Sequence, residues 1–291
     1  MTRVAITGDT RDPIWLDLFR GPTAGDRQAV LDAIGAERPG FLLLLGDLVD
    51  GAFASSWAAF DRSVAGLRAA GVAMDAVPGN HEYYGIVPRI ARPGHRLAPF
   101  VDRFARPEGV RWRTRDVDSA RLLLLDSNAG AHASAELAAQ EAWLERAVAE
   151  ADADARVAIV FAAWHHPPFT NVEGYDDDVF SARSFLPRLR RSRKLGAIFC
   201  GHVHGYERHR VDGVSLVVSG GGGAHPHRFP TDHARWRHTP AFDASALPHL
   251  HYVVVDLDGE RATATVRHLE RGRGAEPRLI PGDRFEIRRR A

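Results

Sequence analysis

Short apolar runs recur along the chain, separated in most places by stretches with helical spacing. A first strand is predicted over 4–7, a helix over 25–38, and a second strand over 41–45, where the run is continuously apolar as a buried strand requires. Trp57, Phe60, Val64 and Leu67 recur at steps of three and four, which predicts one helix over 56–70. Strands follow over 72–77 and 121–125, then a helix over 134–150 with Glu136 in its first turn, where negative charge is favoured. In the second half, strands are predicted over 157–162, 197–200, 214–219, 252–256 and 262–268. A basic helical stretch lies near 185–193, and Asp258-Gly259 is the expected hairpin turn.

Alternating strands and helices predict a layered α/β fold. The Pro/Gly-rich segments over 86–107 and 220–248 read as long loops, of a length that often carries function. With no repeat and no low-complexity linker, residues 1–291 are expected to form a single domain with a loop-rich insertion near 220–250.

Composition narrows the picture only modestly. A hydrophobic fraction of 45% with 26% charged residues is that of a folded soluble chain, not a disordered one. A formal net charge of +1 provides no overall field for nucleic acid or an anionic membrane, so a nucleic-acid polymer is not the expected partner. The single cysteine, Cys200, cannot form an internal disulfide, and no apolar run reaches the ~20 residues of a membrane span, so a cytoplasmic location is expected.

Chemistry concentrates at the carboxyl ends of predicted strands, where open α/β sheets place their sites. Gly8-Asp9 follows the first strand, Gly46-Asp47-Leu48-Val49-Asp50 the second, and Gly79-Asn80-His81-Glu82 the third. Trp164-His165-His166-Pro167 and Gly201-His202-Val203-His204 follow later ones. Any one cluster could be an ordinary turn; five in register with five strand ends are hard to explain that way. Carboxylates, an amide oxygen and imidazoles together suit divalent transition metals better than calcium.

These motifs in this order resemble the calcineurin-like metallophosphoesterases, and the segment from Gly201 to Arg208 is closest to the purple acid phosphatase branch. The resemblance implies an α/β fold of two β-sheets packed face to face and flanked by helices, acting on small phosphate-ester substrates. It implies two divalent transition-metal ions, with manganese, iron and zinc the leading candidates. Asp47 would bridge them, Asp9 and His204 would bind the first, and Asn80, His165 and His202 would complete the second. A metal pair roughly 3.5–4 Å apart would hold a hydroxide that attacks phosphorus. His81 would protonate the leaving oxygen, and Asp50 would orient His81. His165 is preferred over His166 because the family pattern sets the ligand two residues before proline, which leaves His166 as a candidate substrate residue.

Two positions depart from the pattern. Most family members carry histidine two residues after the first aspartate, where this chain has Arg11. The purple acid phosphatase tyrosine is replaced by Asp50, so no ferric–tyrosinate centre is expected. Arg11 is read either as a phosphate contact or as a surface charge, and Asp12 as a substitute ligand. Glu82 and Glu207 are expected to hold loops, Arg208 to pair with a carboxylate, and Arg188 to Lys194 to form a solvated helix face. Tyr83, Tyr84, Phe169 and Tyr175 are expected to pack, with stacking on substrate the alternative. The glycines over 220–223 are expected to form a flexible turn. Because of Arg11, a non-catalytic protein that binds phosphate or another ligand on a partly degenerate site is the alternative function.

Overall fold

The computed structural model describes residues 2–11, 25–83, 97–104, 111–230, 232–271 and 277–290; Asp12 and Tyr84 lie outside them. In the first sheet β1 (Thr2–Thr7), β2 (Phe41–Leu44) and β3 (Ala73–Ala76) run parallel in that order. In the second, β4 (Arg113–Val117) pairs antiparallel with β5 (Ala120–Leu124), and β6 (Ile159–Trp164) and β7 (Leu195–Cys200) continue in parallel. β9 (Val214–Ser219) lies parallel to β7, and β8 (Tyr206–Val211) closes that edge antiparallel. The chain then returns to the first sheet, where β10 (His251–Asp258) pairs antiparallel with β1 and is extended by β11 (Arg261–Glu270) and β12 (Arg278–Arg288). Two mixed six-stranded sheets result.

Side-chain alternation along the strands builds the layers. Val4, Ile6, Phe41, Leu43, Phe161, Phe199, Val217 and Val253 meet between the sheets. The intervening residues Ala5, Leu42 and Leu44 face outward onto α1 (Asp26–Ala36) and α2 (Ala54–Ser63), through Val30, Ile34, Trp57 and Phe60. On the other side Val160, Ala162 and Ile198 pack against Leu144 and Val148 of α5 (Ser134–Ala153). Helices therefore flank both sheets, and β1 and β2 are buried on both faces, which is why they read as continuous apolar runs.

The expected helix over 56–70 is divided at Val64 (φ −94°, ψ 1°) into α2 and α3 (Ala65–Ala69), and α4 (Ala98–Arg103) joins their layer. The basic stretch over 185–193 contributes only the short α7 (Leu186–Leu189), preceded by α6 (Val179–Ser184). Its Arg188 is not a solvated charge, since it pairs with Glu141 and Glu145 of α5. The β10–β11 turn sits one residue later than expected. Asp258 pairs with Arg261, so Gly259 (φ +60°) and Glu260 form the bend.

Candidate metal centre

Asp9, Asp47, Asn80, His165, His202 and His204 all lie just beyond the carboxyl ends of β1, β2, β3, β6 and β7, so the layered fold brings five loops to one edge. Asp9, Asp47 and His202 adopt left-handed backbone (φ 59°, 52° and 70°), which turns the chain sharply as it leaves each strand. Backbone bonds tie the loops together: Asp9 N–H donates to the Gly46 carbonyl (2.9 Å), and Gly8 N–H crosses to Ser219 of the second sheet (2.8 Å). A Cβ on Gly79 would collide with Asp47 Oδ1 and its peptide nitrogen, so the third loop reaches the second only through a glycine.

The first sheet supplies the oxygen donors. Asp47 Oδ1 accepts from His81 N–H (3.0 Å), and Asp9 Oδ2 accepts from His202 N–H (2.8 Å). Asp9 Oδ1 is buried without a hydrogen-bond partner. The loops are held from below by Glu82, fully buried, whose carboxylate accepts from the N–H groups of Asp47 (2.9 Å), Leu48 (2.8 Å), Val49 (3.4 Å) and Gly79 (2.7 Å). Glu207 does the same in the second sheet, accepting from Thr170 Oγ1 (2.6 Å) and Asn171 N–H (2.8 Å). Arg208 pairs with Asp283. These three side chains behave as the sequence led us to expect.

The second sheet supplies the nitrogens, and on His165 and His204 a main-chain carbonyl takes the Nδ1 proton. His165 donates Nδ1–H to the Leu45 carbonyl (2.7 Å), which turns Nε2 into the centre, 3.2 Å from Asn80 Oδ1 and 3.4 Å from Asp47 Oδ1. His202 Nδ1 faces the same Nε2 at 3.2 Å. His204 donates Nδ1–H to the His225 carbonyl (2.5 Å) and turns Nε2 toward Asp9 Oδ1 at 3.4 Å. Behind it His227 stacks at 3.8 Å and accepts from His204 N–H (3.1 Å), and Tyr175 stacks on His227 at 4.3 Å.

His81, Asp50 and Arg11 form the rim. His81 donates Nδ1–H to the Asp50 main-chain carbonyl (2.6 Å), while the Asp50 carboxylate stands 3.7 Å away and instead binds Arg11 Nη1 at 2.8 Å. Arg11 is buried and ion-paired, so the surface-charge reading of it is wrong. His166, beside His202 at 4.5 Å between ring centroids, is held at Nδ1 by Ser127 Oγ (2.8 Å). Nothing in the sequence distinguished Ser127, His225 or His227 as supports, because their partners lie in other loops. The 220–223 glycines are buried rather than a loose turn; Gly222 N–H donates to the Gly8 carbonyl (2.9 Å).

The electrostatics suit a bound cation. Burial, then the neighbouring Asp47 charge, push Asp9 up to about 8. Burial pushes His165 down, but the Asp47 carboxylate overcomes it and raises the imidazole to about 10. Two buried carboxylates this close resist ionising together without a counter-charge. Donor atoms of Asp9, Asp47 and His165 lie within 4.8 Å of one another, as do those of His165, His166 and His202. A divalent transition metal suits that mixture of oxygen and imidazole donors, and it would give the orphaned Asp9 Oδ1 its partner.

Comparison with known proteins agrees with this geometry. A purple acid phosphatase from yellow lupin (Lupinus luteus) seeds superposes with a TM-score of 0.72 at 19% identity, over 99% of this chain and 54% of that one. The chain thus spans about half the length of the lupin enzyme. A dimetal phosphatase from Danio rerio matches with a TM-score of 0.57 at 16% identity, covering 97% of this chain and 99% of that one. GAP50, the anchor in the inner membrane complex of Plasmodium, matches at 0.65 and 11%, covering 97% and 89%. At these identities the likeness is one of fold. Sequence comparison with curated proteins gives no match. The family model for calcineurin-like phosphoesterases, however, matches residues 2–206, most of the sequence and every motif above, and the chain belongs to that family.

Proposed function

We propose that the chain hydrolyses phosphate esters of small molecules, monoesters or diesters, at a metal centre held by Asp9, Asp47, Asn80, His165, His202 and His204. The observation that carries this reading is the convergence of those six donors from five loops on one edge, with Asp9 Oδ1 buried and unpartnered. Function is argued from this site and not from the fold, which also serves an anchor protein.

Divalent ions bound there would supply Lewis-acid stabilisation of the phosphoryl group and activation of water, with manganese, iron and zinc all suited to the donors. The chain's own residues do the rest. Asp47, placed between the His165 and His81 rings, would be held in common by the bound ions. His81 delivers a proton to the leaving oxygen from Nε2, because its Nδ1–H is committed to the Asp50 carbonyl. Ser127 Oγ accepts from His166 N–H (3.0 Å) and donates its hydroxyl proton to Nδ1, which leaves His166 Nε2–H to hold a phosphate oxygen. Among the described residues no helix is long and apolar enough to cross a membrane. A reducing, cytoplasmic setting agrees with the single buried cysteine.

Replacing a ligand tests the reading. Asn80→Ala and His202→Ala should each lower metal-dependent release from an aryl phosphate by more than the roughly 100-fold that loss of an outer-shell partner costs. Circular dichroism of both variants should match the parent. Activity that survives either substitution would refute the assignment. Retained phosphate binding by a parent that never turns over would favour the non-catalytic alternative.

A further inference from the structure

A cleft of about 650 Å³ opens beside the candidate metal centre, walled by Glu173 and Tyr175 from the loop beyond β6 and by His225, His227 and Arg228 from the loop beyond β9. That volume lies within the roughly 300–1,000 Å³ typical of small-molecule sites. Three of these residues also touch two of the expected ligands. The Tyr175 ring stands edge-to-face with His202 at 5.4 Å between centroids, the His227 ring stacks on His204 at 3.8 Å, and the His225 carbonyl accepts from His204 Nδ1–H (2.5 Å). Cleft and centre therefore share a wall.

That wall is braced. His227 accepts from His204 N–H at Nδ1 (3.1 Å), which leaves its proton on Nε2, 2.8 Å from the Tyr175 hydroxyl. Glu173 N–H donates to the Arg228 carbonyl (2.9 Å), and Arg237 Nη2 donates to the Tyr175 carbonyl (2.6 Å). Little ordering of the two loops is left for a ligand to impose.

Charge in the cleft is one-sided. Glu173, the one acid among its described lining residues, is paired with Arg235 at 2.9 Å. Arg228 is exposed, and among the described residues its guanidinium has no carboxylate or hydrogen-bond partner. An arginine held at its main chain beside a cleft, with its side-chain charge unanswered, is placed for an anion. Its planar fork of N–H donors matches the oxygens of a carboxylate or a phosphate.

Resting on the phosphoesterase reading above, we propose that this cleft receives a second anionic group of the substrate, bound by Arg228. The favoured substrates are then small phosphate esters whose organic part carries a carboxylate or a further phosphate, away from the scissile phosphoryl group. The Tyr175 and His227 rings border the organic portion that joins the two charged ends.

Paired esters test this. The metal-loaded full chain and Arg228→Gln are assayed on phenyl, 4-(carboxymethyl)phenyl and 4-(phosphonomethyl)phenyl esters of phosphate, each as the monoester and as the methyl diester. For at least one anionic ester, kcat/KM relative to the phenyl ester should be roughly five- to tenfold higher in the parent than in Arg228→Gln, the worth of an exposed charged contact, with the difference carried by KM. Which anionic ester shows it identifies the carboxylate or the phosphate as the group bound. Arg228→Lys should retain most of the difference. Salt at about 1 M should shrink it, because the screening length falls to about 3 Å. A ratio that is the same in the parent and Arg228→Gln, or a difference insensitive to salt, would overturn the inference. Turnover of none of these esters by the metal-loaded parent would overturn the phosphoesterase reading on which it rests.

Discussion

The two sheets contribute to the centre in different currencies. Loops from the first sheet bring oxygen atoms, on Asp9, Asp47 and Asn80, and loops from the second bring imidazoles, on His165, His202 and His204. Their supports differ accordingly. The oxygen side is fixed through its backbone, with four peptide N–H groups gathered on the Glu82 carboxylate. On the nitrogen side, His165 and His204 are fixed through their rings, each giving a proton to a carbonyl and so aiming its other nitrogen at the centre. An acidic ligand needs its loop placed, whereas an imidazole also needs its tautomer chosen.

The sharpest way to break this contrast is at Glu82. Glu82→Ala strands four buried or nearly buried amides, at a cost of about 1–3 kcal/mol for each one left without a partner, so a loss of at least about 4 kcal/mol is expected in urea denaturation. Metal retention should fall with it. A loss below about 1 kcal/mol would show that the oxygen side is held some other way.

A smaller effect is expected at the strut between the two sides. Asp126, beyond β5, binds the Tyr83 hydroxyl from the loop beyond β3 and stands 3.0 Å from His132 Nε2. Asn128, which donates to Asp126 Oδ1 (2.8 Å), also reaches the Pro78 carbonyl (3.1 Å). Burial alone would raise the Asp126 carboxyl, but bonds from His132, Tyr83 and Asn128 hold it below the usual range. A depressed carboxylate contributes stability that is present above the unfolded value near 3.9 and is lost as pH falls through the folded one. The stability gap between parent and Asp126→Asn should therefore be constant from neutral pH to about pH 5 and narrow below about pH 4. A gap unchanged down to pH 3 would remove Asp126 from the acid response.

Most of this was legible in the sequence, and what was not has a common cause. β1, β2, β5, β6, β7, β9, β10 and β11 carry apolar residues facing at least one core layer, and their runs stand out. β4, β8 and β12 gave no such signal, and each lies at the edge of a sheet. RTRDV and YERHRV consist mostly of charged and polar residues, and RLIPGDRFEIR is interrupted by Pro281-Gly282, as edge strands often are. The site residues were found because strand ends carry them in recognisable motifs. The partnership of Arg11 with Asp50 was not, because it joins positions 39 residues apart in loops whose approach only the sheet determines.

The central claim is metal-dependent phosphoester hydrolysis, and one measurement addresses it directly. The chelator-stripped chain, assayed on an aryl phosphomonoester and an aryl phosphodiester before and after addition of manganese, iron or zinc, should be inactive when stripped and regain turnover of at least one ester with metal. Turnover that is the same with and without metal, or absent under every loading while the fold and the metal are both present, would contradict the account.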